Sequence, residues 1–266
     1  MINIGFIGTG NMGTAIIKGI ASSSFSGGVK LFATDIDKQK VASLSEFGVF
    51  PCENACEIVK ACKYVFLAVK PQMFEELLKD IAPFVNSDTV LISIAAGITA
   101  EYIKAMIIPD AKVVLVMPNT PLLLGEGASA LSKAEPVSED EFRLVLDIFS
   151  SCGTAQVVDK DKMKEIIAIN GSSPAFIYLF AKGFIDYAAS VGIPEETAKT
   201  LFSKTLTGSA KMITDSGYSI DELIKMVSSP GGTTLKGLDE LYSGDLTGIV
   251  KNACEACTKR AYELSK

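Results

Sequence analysis

The sequence predicts an α/β domain followed by an all-helical one, and three observations carry that expectation. Short apolar runs alternate with helical patterns through the first half of the chain. A glycine-rich turn joins the first apolar run to the first helical pattern. After Asp159 the strand-like runs stop and helical periodicity continues to the end. Alternating strands and helices build a parallel sheet covered on both faces, whose strands read as continuous apolar runs. The expected domains are residues 1–159 and 160–266.

Ile2 to Ile7 is read as a buried strand and Asn11 to Ser22 as a helix, with a loop from Ser22 to Gly28. Val29 to Thr34 is a second strand and Asp37 to Phe47 a second helix. Tyr64 to Val69, Val90 to Ile94 and Lys112 to Val116 are further strands, separated by helical segments at Pro71 to Phe84 and Thr99 to Met106. Ala128 to Leu131 and Ala155 to Val158, with a helix at Ser138 to Ser150 between them, complete the first domain. The second consists of helices at Lys162 to Ile169, Pro174 to Ser190, Pro194 to Thr214, Ile220 to Val227, Thr234 to Leu241 and Leu246 to Leu264. Pro174 and Pro194 sit near helix starts, where proline is tolerated. Ala198, Leu201, Phe202, Thr205, Ser209 and Met212 form a stripe at helical spacing.

Composition narrows the chemistry. The 266 residues are 48% hydrophobic and 21% charged, which excludes wholesale disorder. Histidine is absent. That removes Ser-His-Asp and Cys-His catalysis, histidine-containing zinc sites and dehydrogenases with a histidine acid/base. A net charge of −6 with no dense Lys/Arg cluster argues against nucleic acid. No run approaches the ~20 apolar residues of a membrane span, so no membrane partner is expected. Met1-Ile-Asn-Ile-Gly lacks the basic region of a signal peptide. Six cysteines are too sparse for a disulfide scaffold, and the expected setting is a reducing cytoplasm. Cys254-x-x-Cys257 has no second pair, so it is read as helix packing, as are Cys52, Cys56 and Cys62; no metal is expected.

Gly8-Thr9-Gly10-Asn11-Met12-Gly13 fits G-x-G-x-x-G directly after the first strand. The first glycine permits the turn, the second lets backbone approach a pyrophosphate, and the third packs helix on strand. Amides at the helix N-terminus hold the anion. This is a Rossmann-type dinucleotide site. Asp35 ends the second strand, where an acid bonds the adenine ribose and repels a 2′-phosphate. Thr34, Lys38 and Lys40 are near enough to help bind that phosphate if Asp35 turns away, and Asp35 can also simply start a turn. Farther on, Pro230-Gly231-Gly232 makes a turn whose amides can converge before a helix, a nest suited to a carboxylate. Ser228, Ser229 and Thr233 can instead cap that helix, using the same amides.

Several motifs together resemble the pyrroline-5-carboxylate reductase family. They are Gly5-Phe6-Ile7-Gly8-Thr9-Gly10-Asn11-Met12, Phe66-Leu67-Ala68-Val69-Lys70-Pro71, Ala95-Ala96-Gly97, Met117-Pro118-Asn119-Thr120-Pro121 and Val227-Ser228-Ser229-Pro230-Gly231-Gly232-Thr233-Thr234. The opening motif is shared with β-hydroxyacid dehydrogenases; the Ser-Ser-Pro-Gly-Gly-x-Thr run separates the two families. The resemblance implies that Ile7, Gly8, Thr9, Gly10, Asn11 and Met12 wrap the pyrophosphate. It implies that Asp35 and Asn54 meet the cofactor, and that Ala68, Val69, Lys70, Pro71, Ala95, Ala96 and Gly97 line the dinucleotide. Ser229, Gly231, Gly232, Thr233 and Thr234 would form the substrate loop. Within it, the Thr234 hydroxyl is the candidate to hydrogen-bond the ring nitrogen and orient the imine. Lys70, following a strand beside the groove, is assigned to cofactor binding or loop structure rather than to acid catalysis.

The implied reaction is hydride transfer from NADPH or NADH to 1-pyrroline-5-carboxylate, giving L-proline, the last step of proline biosynthesis. The implied assembly is a homodimer with interlocking helical domains, extending in some members to a ring of dimers. Met106 to Ile108 and Phe176 to Phe180 are accordingly read as core and dimer packing. One departure stands out: Gly171-Ser172-Ser173-Pro174-Ala175 has a serine where the family commonly has a second glycine, which predicts a stiffer turn. Two alternatives remain. A β-hydroxyacid dehydrogenase needs a lysine on the helix after its glycine turn, but residues 170–181 contain none and Lys182 comes late. A non-catalytic dinucleotide-binding protein would have no need of the 228–234 loop.

Overall fold

The computed structural model describes residues 1–23 and 26–265. Ser24 and Phe25, within the loop expected at Ser22 to Gly28, lie outside them. The chain forms two compact units, Met1–Ser172 with Glu255–Lys266, and Ser173–Cys254.

The first unit is built on an eight-stranded sheet. Its strands are β1 (Ile2–Ile7), β2 (Val29–Thr34), β3 (Val49–Pro51), β4 (Tyr64–Leu67), β5 (Val90–Ser93), β6 (Lys112–Met117), β7 (Gly127–Ala134) and β8 (Gly153–Val157), in the order β3-β2-β1-β4-β5-β6-β7-β8. β1 to β6 are parallel, and the order turns back between β1 and β4, which opens a crevice at the carboxyl ends of those two strands. Helices α1 (Asn11–Ser22), α2 (Lys38–Ala42), α3 (Ala55–Ala61), α4 (Phe74–Ile81), α5 (Ala100–Met106) and α6 (Glu139–Ser150) connect them.

Alternation within each strand divides the core into two layers. Ile4 and Phe6 of β1, Phe66 of β4 and Ile92 of β5 pack with Ile16, Ile17 and Ile20 of α1 and with Val145, Ile148 and Phe149 of α6. Ile7, Val65 and Leu91 face the other way, onto Ile58 of α3, Phe74 and Leu78 of α4 and Ile103 of α5. Burial on both faces is the reason these strands read as unbroken apolar runs.

The structure corrects the sequence reading in four places. The helix expected at Asp37 to Phe47 is α2 followed by a 3₁₀ turn, Ser45–Phe47, with Asp37 capping α2 by accepting from Gln39 N. β3 and α3 carried no strand or helix expectation; at three and seven residues they are too short to show a period. The sheet is mixed, since β7 runs antiparallel to β6. Residues 118–126 between them are fewer than the dozen or so that a parallel crossover requires. Finally, Lys162 to Ile169 is not a regular helix but a 3₁₀ turn, Lys160–Lys162, and a π-helical turn, Ile167–Gly171. Met163 packs with Met117 and Ala130 there, and the first compact unit runs to Ser172.

The second unit holds α7 (Ser173–Ser190), α8 (Glu195–Asp215), α9 (Ile220–Met226), α10 (Thr233–Ser243) and the start of α11 (Leu246–Leu264). Phe184 and Phe202 stack with ring centroids 4.2 Å apart, joining α7 to α8. α8, α9 and α10 contain no buried residue.

Candidate coenzyme and substrate site

The glycine turn is pinned from both sides. Gly8 N donates to Thr34 O at 2.9 Å, and Ala68 N donates to Ile7 O at 2.9 Å, so the end of β1 is held between β2 and β4. Gly8 has φ +101°, and a Cβ there would lie 2.6 Å from Ala68 O. A Cβ on Gly13 would lie 2.5 Å from Gly8 O, which fixes how closely α1 approaches the turn. A Cβ on Gly10 would meet nothing within 4 Å, so the second glycine faces open space. Gly10 is also the N-cap of α1, with no side chain capping the helix and no acid in its first turn. Uncapped amides above an open glycine are what a pyrophosphate requires, and these residues fit a dinucleotide.

Asp35 is tied into this turn. Its Oδ2 accepts from Thr9 N at 2.6 Å and from Thr9 Oγ1 at 3.1 Å, and its Oδ1 accepts from Asp37 N at 2.9 Å. Burial pushes the carboxyl upward, but these bonds and the nearby Lys40 outweigh it and hold the group below its ordinary value. The strut between Asp35 and Thr9 was missed by sequence reasoning, although the parallel register pairing Ile7 with Thr34 brings the ends of β1 and β2 side by side.

Val69, Lys70 and Pro71 follow β4, with Lys70 exposed and Pro71 opening a 3₁₀ turn. Ala95, Ala96 and Gly97 follow β5, and Gly97 takes φ +80° with Leu264 O 3.2 Å from the position of a Cβ. Both segments therefore stand at carboxyl ends of strands beside the crevice. Asn54 caps α3, its Oδ1 accepting from Glu57 N at 3.0 Å, beyond the end of edge strand β3. Two asparagines that sequence reasoning gave no role close the loop after β6. Asn119 Oδ1 accepts from Ala128 N at 2.9 Å, and Asn170 Nδ2 donates to Met117 O at 2.8 Å and Ala128 O at 3.1 Å. Their partners become legible only once the fold pairs β6 with β7.

In the second unit, Gly231 has φ +73° and Gly232 N donates to Ser229 O at 2.9 Å, closing the turn. Gly232 is the N-cap of α10 and no side chain caps that helix. Ser228 Oγ instead donates to Ile224 O at 2.6 Å, back toward α9. Serine capping of α10 is therefore not made, and Thr233 and Thr234 open the helix with its first amides lacking a side-chain cap. The serine at 173 causes no strain either: Ser172 lies in the right-handed region, and Asp245 is the one non-glycine residue with positive φ among the described residues. Lys182 on α7 is engaged by Asp186. Among the described residues no cluster of three Cys, Asp or Glu could hold a metal ion. No described helix is long and apolar enough to cross a membrane.

A sheet that turns back at its glycine crevice, followed by helices, defines the class: a dinucleotide-binding oxidoreductase fold with a helical second unit. Comparison with known proteins specifies it further. Residues 160–264 match the family model for pyrroline-5-carboxylate reductase dimerisation, and residues 3–97 match that for NADP oxidoreductase, coenzyme F420-dependent. Pyrroline-5-carboxylate reductase of Escherichia coli K12 is 34% identical, over 99% of this chain and 98% of its own. The Pisum sativum enzyme is 32% identical over 98% of this chain and 96% of its own. The crystal structure of Plasmodium falciparum pyrroline carboxylate reductase with NADP bound superposes with a TM-score of 0.91 at 32% identity, covering 100% of this chain and 98% of that one. The chain belongs to the pyrroline-5-carboxylate reductase family.

Proposed function

We propose that this protein reduces 1-pyrroline-5-carboxylate to L-proline as the last step of proline biosynthesis, using a reduced nicotinamide dinucleotide, NADPH or NADH. The observation that carries the reading is similarity along the whole chain to reductases of that name. The coenzyme supplies the hydride. Residues 7–12 hold its pyrophosphate at the uncapped start of α1, and residues 68–71 and 95–97 line the rest of the crevice. The first amides of α10, with Ser229 and Gly231 to Thr233, receive the substrate carboxylate. The Thr234 hydroxyl orients the ring nitrogen. A cyclic imine takes its proton from water before reduction, so a chain without histidine can serve by positioning, which is worth roughly 7–11 kcal/mol of barrier at best.

The working form is a homodimer, supported by the dimerisation model over residues 160–264 and by apolar residues left exposed on the second unit, such as Tyr178 at 63% and Leu179 at 71%. The setting is the cytoplasm, in keeping with cysteines that are all free thiols. The test is oxidation of NADH or NADPH by the purified protein on adding pyrroline-5-carboxylate. No oxidation with either coenzyme rejects the reading. Thr234→Ala should depress turnover at least tenfold and leave coenzyme affinity unchanged; near-normal turnover would remove Thr234 from the mechanism.

A further inference from the structure

An ionised carboxylate offers about four acceptor sites and no donor. Asp35 uses two of them on Thr9 through Oδ2 and one on Asp37 N through Oδ1. One remains, on Oδ1. In dinucleotide folds the adenine ribose sits at the end of the second strand, and Asp35 directly follows β2. A ribose 2′-hydroxyl can donate to the remaining site. A 2′-phosphate brings close to two negative charges and acceptor oxygens only, so it meets the carboxylate with repulsion and no hydrogen bond.

The carboxylate is not free to swing aside. Thr9 is 3% exposed, and Asp35 accepts from both its amide and its hydroxyl. Turning Asp35 away would orphan a buried N–H, which is costly. The neighbouring groups offer a phosphate little compensation. Lys38 Nζ donates to Glu53 O at 2.5 Å, and Thr34 is buried. Asp37 adds a second carboxylate, held as the cap of α2. Lys40 is the cation whose charge reaches Asp35, against two acids.

We propose that Asp35 is the specificity-determining residue of the coenzyme site, and that through it this protein selects the dinucleotide with a free 2′-hydroxyl, NADH, over NADPH. The inference rests on the dinucleotide reading of the crevice. Its test is equilibrium binding of NADH and of NADPH to the purified protein without substrate, followed by nicotinamide fluorescence, with adenosine 2′,5′-bisphosphate as a competitor. NADH should bind at least tenfold more tightly, and the bisphosphate should displace it poorly. Asp35→Asn keeps an acceptor for Thr9 N and removes the charge. In that variant the preference should fall below threefold, chiefly through tighter NADPH, with the thermal midpoint reporting that the fold is intact. Equal or tighter binding of NADPH by the unaltered protein overturns the inference while leaving the coenzyme site standing. So does an unchanged preference in a folded Asp35→Asn protein. If neither dinucleotide binds, the reading of the crevice falls and this inference with it.

Discussion

Three glycines in one turn do three different jobs, and the distances around them separate the consequences of changing each. Gly10→Ala puts a methyl into open space, so stability should change by no more than about 1 kcal/mol. The same methyl occupies the approach to the α1 amides, and coenzyme affinity should fall at least tenfold. Gly13→Ala drives a Cβ to 2.5 Å from Gly8 O, so both stability and affinity should drop. Thermal unfolding and coenzyme titration of the two variants check the contrast; equal loss of stability in both would refute it. At this scale the sequence was informative where a residue type is demanded by backbone geometry, as at Gly8 and Gly13. It was less informative for Asp35, because the spacing that marks an acid for the ribose says nothing of its bond to Thr9. It was silent on Asn119 and Asn170, whose partners are backbone atoms of a strand pairing that no local pattern announces.

Among the elements, α6 shows how one side chain can secure a helix end to a sheet. Ser138 and Glu141 form a capping box at its start. The same Glu141, 5% exposed, has Oε1 2.9 Å from Lys63 Nζ and 2.8 Å from Lys112 Nζ, at the starts of β4 and β6. Burial pushes its carboxyl up, but the two lysines and the Ser138 amide prevail and bring it down to about 2. A folded-state value below the unfolded one means the stabilisation is present above about pH 4.5 and is lost as pH falls from there toward 2. Glu141→Gln should therefore cost up to about 3 kcal/mol at neutral pH, with the gap to the unaltered protein closing by about pH 2. Denaturant unfolding across that range measures it, and a gap independent of pH would sink the account. α6 was legible in outline, as the helix expected at Ser138 to Ser150. β3 and the π-helical turn Ile167–Gly171 were not, since the first is a three-residue edge strand and the second departs from the 3.6-residue period by which a helix is read.

Over the whole molecule, the first unit buries its central strands on both faces while the second leaves Leu179, Tyr187 and Leu201 more than 60% exposed. Light scattering should therefore give a solution mass of at least twice 28.2 kDa, and Leu179→Lys should lower it. A mass of one chain for the unaltered protein would contradict the dimer. The succession of an α/β unit and a helical one was legible from the change of period near residue 159; the packing of residues 160–172 and 255–265 with the first unit was not, because it rests on tertiary contacts. Met163 against Met117, and Tyr262 donating to Glu165 Oε1 at 2.9 Å, are examples. That last stretch of α11 also bears on synthesis. Leu264, whose carbonyl backs the Gly97 turn, leaves the ribosome long after β5 has been made. The nascent sheet must wait, with one wall of its 95–97 turn missing, until translation of the helical unit is over. A ribosome stalled after Cys254 would thus display a folded-looking sheet whose 95–97 turn is still unbacked.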